Sequence, residues 1–249
     1  MKIAVCVKQV PDTETRIKLS DDHSEVIEDD IQFILNPYDE FAVEEALKIK
    51  EANEGEVTVI SLGPDRVKSA IRTALAMGAD KAIHIECDKN PDDPFEIAEA
   101  LASVLKEDSY DLILTGKQAI DDDHSQIPSI LGQKLNLPAV NVVVKLEVGD
   151  GKVKAEREID GGHEIIECSL PTVIGAQRGL NEPRYAALKG IMRAKKITIE
   201  EKHAELNEEQ MSVVDFHYPP QKEPGKIVGD SADAVPELLR LLREEAKVI

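Results

Sequence analysis

The chain has 249 residues, 49 of them acidic and 30 basic, for a formal charge of −19, with 42% hydrophobic and 32% charged positions. Such a composition can bury a core and excludes a disordered chain, and the charge repels phosphate backbones, so no nucleic-acid partner is expected. No apolar run reaches the roughly 18 residues of a bilayer span, so no membrane insertion is expected. The N-terminus lacks a signal-peptide core, and three scattered cysteines, Cys6, Cys87 and Cys168, point to a reducing compartment rather than a disulfide framework or a zinc site.

Short, continuously apolar segments at 3–7, 57–62, 82–85 and 112–115 read as parallel strands buried on both faces. Helical spacing separates them. Asn36-Pro37 supplies an N-cap and first-turn pair for a helix carrying Phe41, Ala42, Ala46, Leu47 and Ile49. Residues 65–77, closed by Gly78, predict a second helix, 95–105 a third, and 125–135 a fourth, capped by Ser125 or an upstream Asp. Alternating strands and helices imply a parallel sheet with right-handed crossovers, in which ligands bind at the carboxyl ends of strands. The exits to watch are 8–15, 61–64 and 116–126. Beyond Pro138 the pattern changes. Segments 140–148, 153–158, 164–170 and 172–174 read as strands, and turn signals at 149–151 and 160–162 predict antiparallel hairpins on the sheet edge. Residues 200–230, with Pro219, Pro220 and Pro224, read as an extended arm. A terminal amphipathic helix at 234–247 carries Val235, Leu238, Leu239 and Leu242. The division expected is a domain at 1–199 and an arm with its helix at 200–249.

The strongest local signal is GKQAIDDDHSQ, residues 116–126, between a strand and a helix. A glycine at a strand exit lets backbone approach a ligand, and the following helix N-terminus offers free N–H groups to a phosphate. The competing reading is a solvated acidic loop with a helix cap, since the Walker and Rossmann glycine patterns are absent. Three adjacent carboxylates point apart, so no metal is expected. Tyr38, in a helix start, is placed to meet an adenine ring, although local sequence favours a plain helix start. Glu158, in EREIDGG, reads either as a tuned charge or as an exposed strand carboxylate. Residues 180–196 mix Leu188, Ile191 and Met192 with Arg184, Lys189, Arg193, Lys195 and Lys196, which fits a docking surface or a helix packed on its own sheet. Without GxSxG, HExxH or a paired nucleophile, residue chemistry favours a binding protein over an enzyme.

Seven ordered stretches closely resemble the β subunit of electron transfer flavoprotein: VCVKQVPD, NPYDEFAVEEALKIKE, SLGPD, IRTALAMGADKAIHIE, GKQAIDDDHSQ, EREIDGG and LNEPRYAALKGIMRAKK, spanning 5–196. The resemblance implies an α/β, parallel-sheet adenine-nucleotide-binding (α hydrolase-like) fold with antiparallel edge strands. It implies a heterodimer whose α subunit holds most of one FAD, with a structural AMP in β. By motif, the AMP would touch Cys6, Asn36, Pro37, Tyr38, Asp39, Leu62, Gly116, Lys117, Gln118, Ala119, Ile120, Asp121, Asp122, Asp123, His124, Ser125, Gln126 and Ile127. Glu158 matches a glutamate near the partner's flavin. Leu188 matches an anchor for acyl-CoA dehydrogenases within a recognition loop near 183–196, with Arg184, Tyr185, Ile191 and Met192 beside it.

The implied role is an electron carrier in fatty acid β-oxidation, from flavoprotein dehydrogenases to a membrane quinone oxidoreductase. The implied compartment is the cytoplasm of a prokaryote or the mitochondrial matrix of a eukaryote. In electron-bifurcating relatives a second FAD replaces AMP, and the loop tends to read Asp-Gly-Asp. Here Asp122 fills the Gly position, favouring AMP, while Ile127-Pro128 departs from the Thr-Gly often found in AMP-binding members. Two other classes remain as alternatives: an ATP-binding stress-type module, and an acidic scaffold without nucleotide.

Overall fold

The computed structural model of the chain describes residues 1–203, 206, 210–221 and 224–249. In chain order the first half contains β1 (Lys2–Cys6), β2 (Gln9–Pro11), β3 (Lys18–Leu19), β4 (Val26–Ile27), β5 (Phe33–Leu35), α1 (Pro37–Asn53), β6 (Glu56–Gly63), α2 (Lys68–Met77), β7 (Lys81–Glu86), α3 (Pro94–Leu105) and β8 (Leu112–Gly116). The second half contains α4 (Ile127–Leu135), β9 (Ala139–Gly149), β10 (Lys152–Ile159), β11 (Gly162–Ser169), β12 (Thr172–Ala176), α5 (Leu188–Ala194), β13 (Ile199–His203) and α6 (Val235–Arg240).

Among the described residues nine strands form one sheet, in the order β11-β10-β9-β12-β8-β1-β6-β7-β13. Neighbours from β9 through β13 run parallel, and β9-β10-β11 continues the sheet as an antiparallel meander. The expected edge hairpins are therefore present. Strand alternation divides the core in two. Ile3, Val5, Val57 and Val59 face α1 and α2, whereas Ala4, Cys6, Ile60 and Leu62 face α3 and α4. Burial on both faces is what made these strands read as unbroken apolar runs. Ile71 and Leu75 of α2 are fully buried. Truncating either to Ala would cost about 2–5 kcal/mol.

Several expectations change. Glu200–His203, placed by sequence in the arm, form β13 and pair with β7 (Ile199↔Ala82 to His203↔Glu86). Strand β13 carries charges at an open edge, a composition that hides a strand from a hydrophobicity reading. The arm therefore begins beyond His203. It touches the body where Phe216 N–H donates to His23 O at 2.9 Å and where the Tyr218 hydroxyl accepts from Leu19 N–H at 2.8 Å. The terminal helix is shorter than 234–247: α6 ends at Arg240 and a wider π turn follows over Leu241–Glu245, leaving Val235, Leu238 and Leu239 exposed. No helix among the described residues is long and apolar enough to cross a membrane.

Candidate nucleotide cleft and exposed loop

The exits of β1, β6, β7 and β8 converge with the starts of α1, α3 and α4 around an open cleft. This is the position that a parallel sheet provides for a ligand. Asp39, buried in the first turn of α1, fixes its geometry. Its carboxylate accepts Lys8 N–H at 2.7 Å and Gly116 N–H at 2.9 Å, joining the exits of β1 and β8 to one helix. Gly116 is the residue this packing demands, because a Cβ there would lie 2.5 Å from Asp39 Oδ1 and 2.7 Å from Tyr38 Cβ. Burial pushes the Asp39 carboxyl up to about 7, against the pull of the hydrogen bonds it accepts. Cys6, buried beside it, has its thiol pushed up to about 12 by burial and the nearby Asp39. Cys6 is thus a wall of the cleft rather than a nucleophile.

The loop 116–126 owes its shape to hydrogen bonds among residues of the loop and of the strand and helix beside it. Asn36 was expected to cap α1, but it forms no side-chain cap. Its amide instead donates to Gln118 O at 2.9 Å and accepts from Ile120 N–H at 3.3 Å. Ser125 was expected, with an upstream Asp, to cap a helix starting at 125, but α4 starts at Ile127. The backbone of Ser125 is left-handed (φ 55°), and its hydroxyl donates to Gln118 Oε1 at 3.0 Å. The aspartates are also occupied. Lys8 Nζ donates to Asp121 at 2.8 Å and Asp122 at 2.9 Å, Asp123 accepts from Gln118 Nε2, and Asp122 accepts His124 N–H at 3.0 Å. Burial pulls the Lys8 pKa down, but Asp121 and Asp122 outweigh it and hold it above the ordinary value. Lys8 thus offsets part of the acidic charge of the loop. Gln126, at the start of α4, makes no side-chain cap either, so the N–H groups of this helix end remain for a ligand at the cleft.

Of the residues carried by motif, Cys6, Asn36, Asp39, Leu62, Gly116, Lys117, Gln118, Ala119, Asp122, His124, Ser125, Gln126 and Ile127 line the cleft. Pro37, Tyr38, Ile120, Asp121 and Asp123 are not among the residues that line it. The Tyr38 ring takes the Lys117 ammonium, 5.1 Å from its centroid. Lys8 lies in the strand exit 8–15 that the sequence marked, although it was not named as a site residue; sequence reasoning missed an apolar wall built by Pro91, Pro94, Ile97 and Leu101, with Asn90 beside it. These last residues follow β7, an exit the strand pattern had located but whose loop was not followed. The cleft suits an adenine mononucleotide, with an apolar wall at one side for a base and an uncapped helix end for a phosphate. Glu158 is exposed on β10 and accepts a hydrogen bond at 2.8 Å from Gln177, next to the end of β12.

The second region is the segment 181–196, which α1 holds from its other side. Arg184 was expected at a partner surface, but its guanidinium lies on its own chain. Nε donates to Glu44 at 2.8 Å and Nη2 to Glu44 and Glu51 at 3.0 and 3.2 Å. Asn181 donates to Phe41 O and Glu45, both at 2.9 Å, and Arg193 donates to Leu75 O and Ala79 O at 3.0 and 2.8 Å. Gly190 lets α5 lie against the Ala76 carbonyl, where a Cβ would collide. With the polar residues turned inward, the apolar ones face solvent: Tyr185 is 100% exposed, Leu188 76%, Met192 54% and Ile191 40%. The reading as a helix that buries these side chains on its own sheet is therefore excluded.

The family model described as the electron transfer flavoprotein domain matches residues 24–207. The chain is similar to the protein named electron transfer flavoprotein subunit beta in Bacillus subtilis (39% identical, all of both chains covered). It is similar to the protein of the same name in Syntrophomonas wolfei (41% identical, 100% of this chain and 98% of that one). The human protein of that name is 39% identical, with 98% of each chain covered.

Proposed function

This chain belongs to the electron transfer flavoprotein β-subunit family, and from that premise we propose that it is the β half of a heterodimeric electron carrier. In this reading an α subunit holds most of one FAD and the cleft described above holds AMP. The observation that carries the AMP assignment is the loop 116–126. Its acidic side chains are paired with Lys8 and Gln118, and its C-terminal end runs into the uncapped start of α4. Asp122, held at 2.9 Å by Lys8, occupies space at the cleft wall that a longer dinucleotide would require. That favours AMP over the second FAD of bifurcating relatives. Gly116, Gln118, Ser125 and the first turn of α4 would hold the phosphate, with Leu62, Ile97 and Leu101 against the base. AMP bound there would supply no redox chemistry, and its role is to tie four strand exits together.

The flavin supplies one- and two-electron chemistry when bound, and this chain contributes surfaces rather than reacting groups. Tyr185, Leu188, Ile191 and Met192 present an apolar contact to a flavoprotein dehydrogenase such as an acyl-CoA dehydrogenase, and Lys189, Lys195 and Lys196 steer acidic partners. Arg184 and Arg193 are engaged internally and steer nothing. Glu158 lies toward the flavin side, and residues 204–249 with α6 are assigned to the α subunit. A membrane quinone oxidoreductase is the acceptor. The compartment is the cytoplasm of a prokaryote or the mitochondrial matrix. The test is stopped-flow reduction of the αβ complex by a reduced acyl-CoA dehydrogenase. Flavin reduction is expected to saturate with dehydrogenase and to slow as salt rises. A complex that no flavoprotein dehydrogenase reduces would contradict the reading.

A further inference from the structure

Strand β9 does not run straight past β12. Ile174 faces Val140 and Ala176 faces Val143, so Asn141 and Val142 together oppose the single residue Gly175, which is a β-bulge. Val142 has φ 63°, a left-handed conformation that a β-branched side chain resists. Such strain persists only where the surroundings over-determine it, and it concentrates at functional sites. The bulge turns the Asn141 side chain off the sheet and onto the loop of the cleft. Its Nδ2 donates to Lys117 O at 3.4 Å and to Ser125 O at 3.3 Å, while its Oδ1 accepts Val142 N–H at 2.9 Å. Gly175 leaves the room for this, because any Cβ at that position would run into Asn141 Oδ1.

We propose that Asn141 is a positioning residue for the nucleotide, its amide stapling residues 117 and 125 of the loop so that the loop and the start of α4 are set for a phosphate before it arrives. This rests on the reading of the cleft as an AMP site. Asn36 grips the middle of the same loop, at Gln118 and Ile120, from the opposite side. Asn141 touches no ligand, and it reduces the ordering that binding would otherwise require.

The test is calorimetric titration of the αβ complex, stripped of nucleotide, with AMP and with adenosine. Asn141→Ala is expected to weaken AMP about 10-fold, as two part-buried hydrogen bonds allow, and adenosine about 2-fold or less. A general structural defect would weaken both alike. Gly175→Ala, which evicts the amide, is expected to reproduce the selective loss, yet to add no more than about 2-fold in the Asn141→Ala background, because both changes remove one contact. If Asn141→Ala does not fold, Asn141→Ser takes its place. It is uncharged and too short to reach both Lys117 O and Ser125 O, so no new charge faces the phosphate. An unchanged ratio of AMP to adenosine affinity, or additive effects of the two substitutions, overturns the proposal while leaving the nucleotide site intact. A wild-type complex that takes up no AMP overturns the site reading itself, and this inference with it.

Discussion

The loop 116–126 is tied to the start of α1 and the segment 181–196 to α1 and α2, and they use their polar groups in different ways. In the first, Asn36, Lys8, Gln118 and Asp39 tie the loop down and themselves line the cleft, so the surface presented is a polar one with a helix end at its edge. In the second, Asn181, Arg184 and Arg193 bond to their own chain, so the side chains left exposed include Tyr185, Leu188, Ile191 and Met192. A chain can thus make a ligand site or a docking site from similar residues, according to whether its polar groups line the surface or turn away from it. The cleft loop should resist perturbation and report on stability. In the exposed segment the solvent-facing apolar side chains should report on partner kinetics, and the inward-bonded polar ones on stability as well.

The comparison breaks most visibly at Asp39. Asp39→Ala leaves two buried N–H groups, of Lys8 and Gly116, without acceptors. We predict a loss of about 2–4 kcal/mol in urea unfolding together with loss of bound AMP. Arg184→Ala strands the buried Glu44 carboxylate, but the arginine is partly solvated, so the expected loss is about 1–3 kcal/mol. Here dehydrogenase coupling should weaken while nucleotide content stays the same. Leu188→Ala removes a side chain that is 76% exposed. Thermal stability and AMP content should hold within error, and the apparent affinity for the dehydrogenase should fall several-fold. Loss of AMP in that variant would mean that the two regions are not separable.

The last prediction is a slope with pH. The folded Asp39 carboxyl is raised from its ordinary 3.8 to about 7, so between those values the folded state binds more protons than the unfolded one. Stability contributed by this group is therefore highest below about pH 4 and declines as pH rises through about 7. Asp39→Asn removes that decline, and the stability difference between wild type and variant should narrow across this window in pH-dependent unfolding.

Much of this was legible in the sequence for identifiable reasons. Strands buried on both faces announce themselves by unbroken apolar runs, and Gly116 marked a strand exit correctly. Strand β13 was hidden because an edge strand carries the charges seen in Glu200, Glu201 and Lys202. The caps were misread because Asn36 and Ser125 have the right side chains for capping but are drawn into bonds with Gln118, 82 and 7 residues away. Helix capping is a local rule, and a contact 82 residues away in sequence overrides it. Arg184 and Asn141 were illegible for the same reason, since nothing near them in the chain names Glu44 or Ser125 as partners.

The most direct test of the central claim is the nucleotide content of the purified αβ complex, by denaturation and chromatography. One FAD and one AMP per heterodimer is the predicted result. Two FAD would place a flavin in the β cleft and make the complex bifurcating, and no adenine nucleotide beyond a single FAD would contradict the reading of the cleft.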